Sequence, residues 1–196
     1  MISELLNLTS SKHQTPAPGR VLFTLRPAPW DSNRILIHPA GYAIEAPPVL
    51  SIVASKEGNP NVVLSRGWGA GPQDVIGTAK LPNMFSSTSH LTLRGRPLDM
   101  RMSQMSGSFS LDAPSAGRLK WKAGGLSGKT LELRDSAGER VAEFGSKGFS
   151  GEKYVEMRPG DEYFVELVLL SAMTARMVNR TVSEASSEVV SSVLGA

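Results

Sequence analysis

The chain has 196 residues, 40% hydrophobic and 20% charged, with a formal net charge of +3 and a sequence pI near 9.3. This composition excludes a disordered chain and can bury a sizeable core, as one domain or two small ones. The lack of cysteine excludes a disulfide framework, a thiolate zinc site and a cysteine nucleophile, and the mild basic bias permits an anionic partner without demanding one.

Met1 to Ser11 has no basic stretch followed by a long apolar run, so it does not read as a secretory signal, and a cytoplasmic location is expected. The Asn-x-Thr triplets at Asn7 and Asn179 then read as chance. Residues 1–19, polar and rich in Ser, Thr and Pro, read as a flexible arm. From Arg20 onward, short alternating runs recur between turn signals. Strands are expected near Val21–Leu25, Arg34–Ile37, Tyr42–Glu45, Leu50–Ser55, Val62–Arg66, Val75–Leu81 and His90–Arg94. They continue near Leu98–Ser103, Ser108–Leu111, Arg118–Lys122, Thr130–Arg134, Arg140–Phe144 and Lys153–Met157. No helical stretch alternates with them, so a parallel α/β arrangement is disfavoured and an antiparallel sandwich or barrel is expected.

After Pro159-Gly160 the period changes. Asp161-Glu162 reads as a helix start. The run Tyr163, Phe164, Val165, Leu167, Val168, Leu169, Leu170, Met173, Met177 and Val178 is apolar nearly all round, which marks a buried helix over 161–180. Its longest apolar stretch, Phe164 to Leu170, is interrupted by Glu166 and is far short of the roughly 20 residues a membrane span needs. Arg176 and Arg180 fall where a helix C-terminus favours cations. The tail, 181–196, is Ser-rich, and Val182, Ala185, Val189 and Val193 allow a weak extension. The expectation is one mostly-β domain over 20–180: a closed antiparallel β-barrel of about 12 strands around the buried helix.

Gly107-Ser108-Phe109, Gly117-Arg118-Leu119-Lys120-Trp121-Lys122, Leu131-Glu132-Leu133-Arg134-Asp135 and Arg140-Val141-Ala142-Glu143-Phe144, followed by the apolar helix, resemble fungal proteins with a tubby C-terminal-like fold. Val75-Ile76-Gly77-Thr78-Ala79 and Gly41-Tyr42-Ala43-Ile44 sit where that family places strands. The resemblance spans roughly Val21 to Arg180 and implies a closed barrel around a central hydrophobic helix. Relatives of this fold include tubby proteins, which bind phosphoinositide headgroups, plant LURP-one-related proteins and phospholipid scramblases. The tubby lipid-binding motif has no residue-by-residue match in this chain.

The remaining motifs are weak. Ala123-Gly124-Gly125-Leu126-Ser127-Gly128-Lys129-Thr130 satisfies a loose phosphate-loop pattern, but a strand pattern follows it instead of a helix, so it reads as a hairpin loop. Arg66-Gly67-Trp68-Gly69-Ala70-Gly71-Pro72 does not fit a dinucleotide fingerprint, and Trp68 reads as a ring covering a barrel end. His13, His38 and His90 lack metal-ligand spacing and read as surface or strand-end residues; no metal or cofactor is expected. Serine is abundant without a nucleophile elbow. Glu132, Glu143 and Glu156 recur on successive strands and read as solvent-facing, sharing a face with Arg134 or Lys153.

The basic residues are the pattern with functional content. Strand period puts Arg118, Lys120 and Lys122 opposite Leu119 and Trp121, Arg94 and Arg96 opposite Leu91 and Leu93, and Arg101 opposite Met100 and Met102. If the strands adjoin, these six cations share an outer wall suited to anionic lipid headgroups or a protein partner. Nucleic acid is disfavoured, because no exposed rings interleave with the cations. The function expected is therefore a non-catalytic binding module, peripheral at membranes. The alternatives are a cofactor-independent isomerase or cyclase with an apolar substrate in a barrel-end pocket, and a structural or oligomerising protein.

Overall fold

Every strand hydrogen-bonds to the strand before and after it in the chain. The computed structural model describes residues 17–83, 86–114, 116–124, 130–147 and 152–194. It forms a closed antiparallel barrel of twelve strands in sequence order, sealed where the first meets the last. The strands are β1 (Val21–Ala28), β2 (Asp31–Pro39), β3 (Leu50–Ala54), β4 (Val62–Arg66), β5 (Val75–Lys80), β6 (Thr88–Leu93), β7 (Arg96–Met102), β8 (Phe109–Ala113), β9 (Gly117–Gly124), β10 (Thr130–Arg134), β11 (Arg140–Lys147) and β12 (Glu152–Met157). A single long helix, α1 (Glu162–Leu194), follows. Closure comes from Val21 opposite Met157 and Leu25 opposite Lys153. A closed barrel leaves no edge strand open to pairing with another chain.

Period-two alternation decides which residues face in. On β9 and β10, Leu119, Trp121, Leu131 and Leu133 are buried while Lys120, Lys122, Glu132 and Arg134 face out. The helix fills the lumen. Phe164 to Ala175 are buried without a break, on every side of the helix, and each large apolar side chain so buried contributes about 1.5–3 kcal/mol relative to exposure. Asp161 caps its start by accepting the Phe164 N–H on Oδ1 at 2.8 Å. Wall and helix are also joined by a buried polar contact, with Trp121 Nε1 donating to Ser171 Oγ at 3.0 Å. Gly77 on β5 marks a tight approach. A Cβ there would lie 3.0 Å from Leu170 Cδ2 and 3.1 Å from Leu93 Cδ1.

Three expectations change. Tyr42–Glu45 is not a strand. β2 pairs directly with β3, Ile37 opposite Leu50, so segment 41–48 has no ladder to join and folds back over the outer wall. There Arg26 donates to Tyr42 O at 2.8 Å, and His38 Nε2 donates to Ala46 O at 2.9 Å. His38 is thus fully buried rather than at the surface; burial lowers its pKa, against the opposing effect of the Ala46 hydrogen bond. The helix is also longer than expected. Its 33 residues span about 50 Å, which puts Arg176 and Arg180 mid-helix rather than at a C-terminus. His13, the core of the glycine-rich loop at 125–129, and residues 1–16 of the arm lie outside the described residues.

Candidate functional site

The antiparallel meander sorts the turns between two barrel ends. At one, the β6–β7 turn meets the start of α1; at the other, the β1–β2 and β3–β4 turns surround the point where α1 emerges. The outer wall lies between.

Of the six cations expected on that wall, four are there. Arg101, Arg118, Lys120 and Lys122 project from β7 and β9, out of phase with buried Met100, Leu119 and Trp121. Arg101 and Lys120 face the same β8 residue, Ser110, from either side. Arg118 lies opposite Asp112, and Lys122 opposite Glu132. Arg101, Ser110 and Arg118 line an open cleft of about 460 Å³, together with Asp99 and Asp112. None of the four cations forms an ion pair among the described residues. Elsewhere on the wall three cations pair with carboxylates. Arg26 meets Glu152 at 2.9 Å, Arg134 meets Glu132 at 2.6 Å, and Arg140 bonds Glu143.

Arg94 and Arg96 are not on the wall. Strand phase does not carry across the turn between β6 and β7. Arg94 and Gly95 both have positive φ, 49° and 75°, as a two-residue primed turn requires. Gly accepts that geometry freely, whereas Arg does so at a cost of about 1–2 kcal/mol. Here the turn aims Arg94 over the barrel end toward the helix. Its Nε donates to Glu166 Oε2 at 2.6 Å and its Nη2 to Glu166 Oε1 at 2.7 Å, a bidentate pair. Nη2 also bonds Glu162, whose other cation, Arg66, lies 3.5 Å away. Glu166 is 1% exposed, and this pairing is what allows a carboxylate within the apolar helix. Those hydrogen bonds raise the Arg94 pKa, and the Arg94 bond holds Glu162 below the usual carboxylate range. Arg96, the first residue of β7, shares the phase of inward Leu98 and Met100 at the rim.

The other end is built differently. Lys153 is in phase with Val155 and Met157 and lies opposite inward Leu25, so it faces the lumen rather than sharing the outer face with Glu156. Arg176 of α1 places its guanidinium over the Phe144 ring, 5.1 Å from the centroid. With Arg180 they border a pocket of about 450 Å³ between helix and wall. Burial lowers the Lys153 pKa, with Arg176 and Arg180 adding to the shift; burial, then Arg180, lowers that of Arg176. The sequence carried the signal for Lys153 in the phase of Lys153, Val155 and Met157, and Arg176 lies within a helix apolar on all sides.

Glu132, Glu143 and Glu156 do form one row across β10–β12, as cross-strand neighbours. Each has a partner. Arg134 holds Glu132, Arg140 and the Tyr154 hydroxyl hold Glu143, and the Ala17 N–H reaches Glu156 at 3.2 Å. The row is a structural belt. Trp68 is half-exposed beside the turn between β1 and β2. It lies against Trp30 with centroids 5.4 Å apart, and Arg34 donates to the Trp68 carbonyl at 2.6 Å. Among the described residues, no cluster of His, Asp and Glu could hold a metal ion, and no helix is long and apolar enough to cross a membrane.

The fold and these ends define a helix-plugged, twelve-stranded up-and-down barrel. No family model matches the chain, and no curated protein matches it. Among solved structures it is similar to the X-ray structure of a protein from Arabidopsis thaliana, with 11% identity, a TM-score of 0.38, and coverage of 83% of this chain and 93% of that one.

Proposed function

We propose that the chain is a non-catalytic, tubby-like binding module that recognises anionic phospholipid headgroups through the outer wall of β7–β9. The observation that carries this reading is the set Arg101, Arg118, Lys120 and Lys122, four neighbouring outward cations without ion pairs among the described residues, while Arg26, Arg134 and Arg140 elsewhere on the wall are paired. Unpaired cations near an anionic membrane contribute about 1 kcal/mol each, an attraction that salt weakens. The sequence resemblance to tubby-like proteins supports the same reading. The test is co-sedimentation with vesicles of phosphatidylcholine alone and of phosphatidylcholine with a phosphatidylinositol phosphate. Binding is expected only to the anionic vesicles, falling as salt rises and lost in the K120E/K122E double variant. No binding at low salt overturns the proposal, and unchanged binding by the double variant removes the wall from it.

A further inference from the structure

We infer that the open end of the barrel is a second binding site, which takes a single oxyanion head carried on a short apolar chain, with Lys153 and Arg176 receiving the head. The site is separate from the outer wall and does not depend on it.

Three observations converge. The first is direction. Lysine and arginine are almost never buried without a partner, yet Lys153 points into the lumen and Arg176 is drawn onto the inner-wall ring of Phe144. Neither forms an ion pair among the described residues. The second is imbalance. The described lining carries two half-buried cations, Lys153 and Arg176, and no half-buried carboxylate; Lys56, Glu57 and Arg180 at its rim are exposed. Half-burying two like charges together is unfavourable until an anion sits between them; burial first, and neighbouring cations second, lower the pKa of both Lys153 and Arg176. The third is shape. The pocket holds about 450 Å³, within the range of sites for small ligands. Its apolar side is formed by Ile35, Met173 and Met177, and methionine adapts readily to an alkyl chain. Asn33 and Ser55 add polar side chains beside the cations. A free inorganic anion would leave the apolar side unused; a neutral lipid would leave the cations unsatisfied. An anionic amphiphile uses both.

The head is a carboxylate or a phosphate monoester, and the experiment separates the two. Full-length protein is titrated by calorimetry with dodecyl phosphate and with laurate, both below their micelle-forming concentrations, and with inorganic phosphate as a head-only control. At least one amphiphile is expected to bind with 1:1 stoichiometry and at least 10-fold more tightly than inorganic phosphate. The K153M variant is expected to weaken binding at least 10-fold, K153R to retain most of it, and R176M to weaken it as well. K120E/K122E is expected to bind like the parent, which separates this site from the outer wall. The inference is overturned if neither amphiphile binds, if inorganic phosphate binds as tightly, or if K153M, shown to be folded by circular dichroism, binds as the parent does. It is equally overturned if K120E/K122E abolishes binding.

Discussion

The two ends of the barrel use the same kinds of residue to opposite effect. At the closed end, Arg94 pairs with both Glu162 and Glu166, and Arg66 with Glu162. At the open end, neither Lys153 nor Arg176 forms an ion pair among the described residues. Pairing at the first end lets a carboxylate survive inside an apolar helix. At the second, two cations are half-buried without an ion pair among the described residues. The position of a charge relative to its partners therefore says more about its role than the count of charges in a segment.

The largest expected effect breaks the closed end. R94A leaves Glu166 buried without its bidentate partner. Because Arg94 is itself about a third exposed, the loss is expected near the low end of the range for broken buried pairs, about 3 kcal/mol, read as a fall in denaturant midpoint. The R94M/E166L pair, which removes both charges, is expected to recover most of that loss; if it does not, the pair does more than neutralise a buried charge. A smaller effect tests the fit between plug and wall. G77V drives a side chain into Leu170 and Leu93, with an expected loss of about 1–3 kcal/mol; an unchanged urea midpoint would show that the helix can shift along the lumen. The smallest effect lies at the open end and has the opposite sign. K153M removes a half-buried, unpartnered charge and is expected to stabilise by less than about 1 kcal/mol, since solvent screens part of the repulsion.

The pH dependence distinguishes the ends too. The Glu162 pKa is lowered on folding, so its contribution is present above the ordinary value of 4.5 and is lost as pH falls through the lowered one. The Lys153 pKa is also lowered, but on a base. Its penalty is full while the folded lysine is charged, and it is relieved as pH rises from the lowered value toward the ordinary 10.5. Over that alkaline window the stability difference between K153M and the parent is expected to shrink, which denaturation at a series of pH values would measure.

Most of the barrel was legible because alternation is a local signal. Leu131-Glu132-Leu133-Arg134 declares its faces without reference to any other strand, and the change of period at Asp161 declares the helix. Tyr42–Glu45 misled because it alternates as well as a strand does, while pairing is decided elsewhere, by Ile37 meeting Leu50. Arg94 misled because strand phase was carried through a turn that reset it. Arg101, Arg118, Lys120 and Lys122 were placed on the wall correctly by phase alone. Lys153 was legible from its phase with Val155 and Met157, but a charged residue reads as outward by default. Arg176 was hidden by the helix running on past it, since its significance depends on Phe144, more than thirty positions earlier in the chain.

The helix follows every strand in the chain, and this order has a consequence for assembly. Seam closure joins β1 to β12 across most of the domain, a long-range pairing of the kind that slows folding. Until α1 arrives, Leu64, Leu93, Trp121 and Phe144 line a lumen with nothing inside it. During synthesis the inner wall is thus a wide apolar surface awaiting the helix that follows it, and such surfaces are where aggregation begins and where chaperones bind. The plug that closes the lumen in the finished protein also ends the interval in which the nascent barrel needs protection.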